Sequence, residues 1–185
     1  MNRLKNVKVN CEIFKIFFYT YISTYSFYKI YTNEYDTLNG AYKNPINIYF
    51  SLDIIKYIYD KNYIFIFHHL TGIFFLNYQP IHLYRFYSKL IVLSLSTEIS
   101  NIFLQLIHLK INTRMVRVSF LITFLYRFYM LHKVQLLLTE EKPTFVMHGY
   151  MNLYKIIWTL YISFYIMHIF WLSQIVKKII KNKRL

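Results

Sequence analysis

The 185-residue chain is short of several things, and each shortage removes a class of protein. It has one cysteine, Cys11, which excludes an intrachain disulfide and a multi-cysteine zinc site. That thiol lies just before the first apolar run, where an inert buried thiol is expected and palmitoylation is the other option. Three glycines and three prolines in a chain that is 56% hydrophobic and 21% aromatic depart from ordinary soluble composition. Acids are scarce, eight against 22 basic residues, for a formal charge of +14. Such an excess invites a nucleic-acid reading, but the basic residues fall between apolar runs and at both ends ("MNRLKNVK", "LKINTRMVR", "KKIIKNKRL"). Charge flanking membrane segments is distributed in that way, and with no recognised binding motif no nucleic-acid partner is expected. The basic start and apolar stretch "FYTYISTYSFYKIY" lack a small-residue cleavage site, so no removed signal peptide is expected. Internal repeats and low-complexity tracts are also missing.

Apolar runs are what the chain has. A helix needs about 20 residues to cross a bilayer, and on that measure the runs predict an all-α, multi-pass transmembrane bundle of about six spans. They cover residues 13–31, 45–59, 63–78, 86–109, 116–138 and 153–176, separated by turn-like stretches that include "TNEYDTLNGAYKNP" and "TEEKPTFVMHGY". Residues 1–44 form an N-terminal basic segment with the first span, 45–176 the main membrane domain and 177–185 a basic tail. Six spans put both termini on one side. Placing them in the cytosol puts Arg3, Lys5, Lys8, Lys61, Lys110, Arg114 and the tail lysines there, against Lys43, Arg85, Lys89 and Lys142 opposite. Lys15 and Lys56 are expected to snorkel to the cytosolic side, and Lys29, Lys133 and Lys155 to the other. The tail "KNKRL" places Lys181 and Lys183 fifth and third from the end. This resembles the dilysine signal read by a retrieval coat, which points to the endoplasmic reticulum.

Ionisable groups deep in a span are costly and mark bundle interiors or water-filled cavities. Here they are Asp53, His68, His69, Glu98 and Arg127. In "SLSTEISNIFLQ", Ser94, Glu98, Asn101 and Gln105 recur every three or four residues, which at 3.6 residues per turn makes one polar stripe. For Ser94 and Gln105 the plain explanation is interhelical hydrogen bonding. The depths of His68, His69, Glu98 and Asp53 allow these groups to meet near one level. Adjacent histidines point about 100° apart and cannot chelate one metal together as an i, i+4 pair does. The other five histidines stand singly, so no metal site is expected.

"FIFHHLTGIFFL" followed by "LSTEISNIFLQL" resembles the core of a TLC domain, the membrane domain of ceramide synthases, translocation-associated membrane proteins and related lipid-handling proteins. The resemblance runs from about Tyr49 to Leu106 and more loosely to Val176. Laid over the synthase pattern of paired histidines and a later His-Asp-x-x-Ser-Asp segment, His68 and His69 match the histidines. Glu98 falls near the first aspartate, Ser100 at the serine and Asn101 at the second aspartate. An amide cannot serve as a base, so the chain looks closer to the non-synthase branch.

The resemblance implies a lipid-binding protein, without cofactor, that influences the lipid composition of an endomembrane. One alternative is an acyltransferase with His68, His69 and Glu98 as catalytic groups and acyl-CoA as co-substrate. Another is a structural membrane protein in which the same groups only hold helices together. The A/T-rich codon bias fits either a large DNA virus, acting in a host membrane, or an A/T-rich eukaryotic genome.

Overall fold

A computed structural model describes residues 2–35, 40–111 and 113–182, with side chains from 10–35, 43–111 and 113–177. The chain is all-α, with no strand among the described residues. Among the described residues seven helices follow one another: α1 (Asn2–Thr32), α2 (Gly40–Tyr59), α3 (Tyr63–Asn77), α4 (Tyr84–Ser96), α5 (Ile99–His108), α6 (Arg114–Met147) and α7 (Met151–Asn182). A short 3-10 turn, Ile81–Leu83, leads into α4, and α4 and α5 are two halves of one bent rod. Six rods thus stand where six apolar runs were read. Two of them are long and apolar enough to cross a membrane: Ile81–His108, with mean hydropathy 1.7, and Met151–Lys177, with mean hydropathy 1.5. The third run, α3, is apolar but only 15 residues long.

With so few glycines, the chain ends its helices by unusual means. The residues that turn α1, α2, α5 and α6 out of helix are Asn33, Lys61, Lys110 and Gly149, all left-handed, with φ of 55°, 52°, 65° and 72°. Each carries the paired reverse hydrogen bonds of a Schellman motif. At Lys110, for example, its own N–H reaches Ile107 O at 3.0 Å and the Ile111 N–H reaches Leu106 O at 3.0 Å. Only one of the four is glycine.

Two stretches read as turns are partly helical. α2 begins at Gly40, ahead of Pro45, and α6 runs through Glu140, Glu141 and Pro143 to Met147. Proline inside α6 removes one donor without stopping the helix, which ends where Gly149 supplies a left-handed residue. Lys183 lies outside the described residues, while α7 continues through Lys181 to Asn182.

The bundle exposes many large apolar side chains and buries an unusual number of polar ones beside its apolar core. Phe14, Phe17, Ile48, Leu52, Ile55, Ile122, Ile162 and Ile166 are exposed, whereas Glu12, Lys15, Asp53, His69, Glu98, Gln105, Arg127 and His168 are buried. That reverses the usual partition of a soluble domain. Cys11, expected to be buried, is exposed. Apolar packing is concentrated in two clusters that share α4. Phe18, Ile22, Tyr49, Phe50, Leu76 and Ile91 tie α1, α2 and α3 to one side of it, and Phe86, Leu90, Leu138, Phe145 and Ile157 tie α6 and α7 to the other. Both clusters therefore fix the polar segment at the end of α4.

Candidate functional site

That segment, "LSTEISN", bends the fourth rod. Ser96, Thr97 and Ser100 each turn their hydroxyl back onto the carbonyl three residues earlier, at 2.7, 2.6 and 3.4 Å. The backbone follows with three-residue bonds, Thr97 N–H to Ser94 O and Glu98 N–H to Leu95 O, both 3.1 Å. Hydroxyls that bond back in this way bend helices. The stripe expected from a straight helix is therefore divided: Glu98 and Gln105 are buried and Asn101 is partly buried, while Ser94 is exposed along one cavity wall.

Two polar groupings meet at the bend. In the first, His68 Nε2 faces Glu98 Oε1 at 3.7 Å, and Asn101 donates through Nδ2 to Glu98 Oε2. The same amide accepts through Oδ1 from Arg127 Nη2 at 2.9 Å. Arg127 also donates from Nε to Ser100 Oγ at 2.7 Å and from Nη1 to His168 Nε2, 3.3 Å away. His168 Nδ1 donates to Phe164 O at 2.8 Å, which leaves Nε2 as the acceptor that Arg127 needs. Asn101 thus performs a task closed to aspartate, donating to a carboxylate with one end while accepting from a guanidinium with the other.

In the second grouping, His69 Nδ1 donates to Phe65 O at 2.8 Å, and its Nε2 faces Asp53 Oδ2 at 3.6 Å. Asp53 Oδ1 lies 3.6 Å from Lys15 Nζ. Instead of snorkelling outward, Lys15 is 5% exposed and paired. Beside this pair the Tyr19 and Tyr49 hydroxyls meet at 2.7 Å, and Phe18 stacks on Tyr49. The paired histidines therefore serve different neighbours, as their angular separation on a helix requires.

Two cavities lie back to back across this layer. One, of about 690 Å³, has a mixed lining that carries most of the charged side chains, and it sits at the end of the bundle that carries the chain termini. Its walls include Glu12, Lys15, Lys56, Asp60, Asn101, Gln105, His108, Arg127 and Trp171. The other, of about 110 Å³, is almost wholly apolar, lined by Phe75, Leu76, Leu90, Ile91, Val134 and Ile157 among others, with Ser94 and His168 at its edge. His68 and Glu98 are the two residues that line both. His68 Nδ1 is buried with no hydrogen-bond partner in the protein.

Sequence reasoning singled out Asp53, His68, His69, Glu98, Ser100, Asn101, Gln105 and Arg127, and all of them fall in or beside this layer. It missed Lys15, Glu12 and His168. A stripe of Glu12, Lys15, Tyr19, Ser23 and Ser26 at helical spacing in α1 was the available signal for the first two. His168 has no comparable pattern in α7. Among the described residues, no group of three His, Cys, Asp or Glu side chains is arranged to hold a metal ion. The chain matches no protein-family model, no curated protein and no solved structure.

Proposed function

We propose that this is a multi-pass membrane protein whose bundle binds a lipid in its interior and so influences the lipid composition of an endomembrane. The observation that carries the proposal is the shared wall of His68 and Glu98 between a cavity of mixed, charge-bearing lining and an almost wholly apolar one. An amphiphile has the matching division, with its head group on one side of that wall and its chain on the other. The apolar exterior supports the membrane part, because Ile, Leu and Phe facing outward with charges inward is the arrangement favoured in hydrocarbon. In this reading all six rods lie in the membrane, with Lys15, Asp53 and Arg127 turned inward on α1, α2 and α6, while Lys56 and Lys133 lie at the surface. Both termini lie in the cytosol, with the larger cavity opening toward it. The TLC-domain likeness of the two histidines and of Glu98, Ser100 and Asn101 belongs to the same proposal, as does retrieval to the endoplasmic reticulum through Lys181 and Lys183.

The test is to purify the protein in mild detergent and identify co-purifying lipid by mass spectrometry, with a His68→Ala, His69→Ala double variant alongside. Retention of a defined lipid by the native protein and its loss from a folded double variant is the expected result. Equal lipid content in both sinks the proposal.

One observation favours acyl transfer as a second reading. His68 has Glu98 at one ring nitrogen and an uncommitted, buried nitrogen at the other, as a general base requires. N-acylation of an amine from acyl-CoA by the native protein, absent from the double variant, supports it. Equal rates for the two exclude it.

A further inference from the structure

We infer that the wall between the cavities is a binding site for a single-chain carboxylic acid, and that binding places one proton on His68. The inference rests on the lipid reading above and names the chemistry of the ligand.

Arg127 and Glu98 form a divided ion pair. Arg127 is 3% exposed, and its three hydrogen bonds go to a hydroxyl, an amide and an imidazole, none of them anionic. Guanidinium has five N–H groups, so donors remain on Nη1 and Nη2. Glu98 is equally buried, with an amide and an imidazole as its neighbours. Asn101 holds the two charges apart. A guanidinium without a direct carboxylate partner in a cavity wall suits an anionic ligand, and carboxylate is the group whose two oxygens guanidinium receives best.

Charge balance then requires the proton. Glu98 and Arg127 cancel and Lys15 pairs with Asp53, while Glu12 is a further buried carboxylate in the wall of the same cavity, so an incoming carboxylate adds negative charge to a water-poor interior, which is costly. His68 is placed to correct it. A lone pair on Nε2 would face the Glu98 carboxylate, so Nε2 carries hydrogen and Nδ1 is the bare, unpartnered nitrogen. A proton taken there makes an imidazolium between Glu98 and the ligand. The charged and titratable groups around His68 and its cavity are Glu98 at the bend, His69 on α3, Asp53 and Lys56 on α2, Asp60 just after it, Glu12 and Lys15 on α1, His108 on α5, Arg127 on α6 and His168 on α7. Lys15 and Asp53 already pair, and His168 already accepts from Arg127. An amine ligand is disfavoured because it puts a second cation beside Arg127, and an alcohol leaves the guanidinium without a counter-charge. The small volume of the apolar cavity, about 110 Å³, limits the ligand to one chain.

The experiment uses the full chain in phosphatidylcholine nanodiscs, with empty discs as the blank. Decanoate, decylamine and decanol are titrated calorimetrically in phosphate and in Tris at one neutral pH, which separates proton uptake from the binding heat. Decanoate is expected to bind at least about tenfold more tightly than the other two, with uptake of one proton per molecule. His68→Gln is expected to bind decanoate more weakly and without that uptake, while keeping the helical signal and melting temperature of the native protein. Equal binding of decylamine or decanol overturns the inference, and so does proton uptake that persists in the glutamine variant. If none of the three binds but a lipid co-purifies, this inference fails and the lipid reading stands. If none binds and no lipid co-purifies, both fail.

Discussion

Glu98 and Arg127 do not touch; the side-chain amide of Asn101 lies between them, donating to one and accepting from the other. Replacing Asn101 by aspartate sets a carboxylate against Glu98 and removes a buried donor. The loss expected is about 2 kcal/mol or more, read as a lower melting temperature in detergent. Asn101→Gln, which keeps both functions of the amide, is expected to lose less. An aspartate variant as stable as the native protein contradicts the bridging role.

Lys15 and Asp53 are the paired charges between α1 and α2. Removing one partner of a buried pair costs about 3–5 kcal/mol, because the other charge is left unpaired. Lys15→Met and Asp53→Leu are each expected to lose about that much, and the double variant considerably less than their sum. Additive losses in a double-mutant cycle mean that the pair is not coupled.

The two histidines differ in what they hold. His69 donates to Phe65 O and lies 3.6 Å from Asp53 Oδ2, so His69→Ala removes a buried hydrogen bond and the imidazole beside a buried carboxylate and is expected to cost about 1–3 kcal/mol. His68 approaches Glu98 at a similar 3.7 Å but leaves its other ring nitrogen uncommitted. Its alanine variant is therefore expected to melt closer to the native protein while losing ligand. Comparable destabilisation of both variants, with ligand retained in each, favours a purely structural role for the histidine pair.

At Gly72 a β-carbon would stand 2.6 Å from Phe50 Cε2. Small residues let membrane helices approach closely, and here the approach is that of α3 to α2. Gly72→Ala forces the Phe50 ring to move and is expected to cost about 1–3 kcal/mol, as overpacking does. Pairing it with Phe50→Leu is expected to recover part of the loss in thermal melts. An alanine variant that melts at the native temperature shows that the ring yields freely.

Lys110 holds a left-handed conformation at φ 65°, which costs a residue with a β-carbon about 1 kcal/mol. Lys110→Gly is expected to raise the melting temperature despite losing a cation near a helix terminus. A lowered melting temperature shows the charge to be worth more than the strain.

The spacing of apolar runs made the six rods legible, because burial and helix length leave a direct mark on sequence. The ends of α2 and α6 were less so. Pro45 and the cluster around Pro143 read as breaks, but a helix tolerates proline when the surrounding contacts persist, and the stop in α6 is made by Gly149. His68, His69, Asp53 and Glu98 were visible because charges in apolar runs are conspicuous. Lys15 was misjudged because snorkelling and inward pairing leave the same trace in one dimension, and only the position of Asp53 on another helix decides between them. The bend at Thr97 was written in the closely spaced hydroxyls of "LSTEIS", whose backward bonds are local. That it splits the polar stripe, sending Ser94 to a different cavity from Gln105, depends on packing between α3, α6 and α7.

The divided fourth rod has a consequence for how such a chain is made. α4 has 13 residues and α5 has 10, and at about 1.5 Å per residue neither half covers the roughly 30 Å of hydrocarbon alone. On the membrane reading proposed above, the two halves cross only as one unit, which carries Glu98 into the hydrocarbon ahead of Arg127 on α6. The partner already available at that moment is His68 on α3. On that reading the carboxylate meets the His68 imidazole first, and the cation across the amide arrives with the next helix.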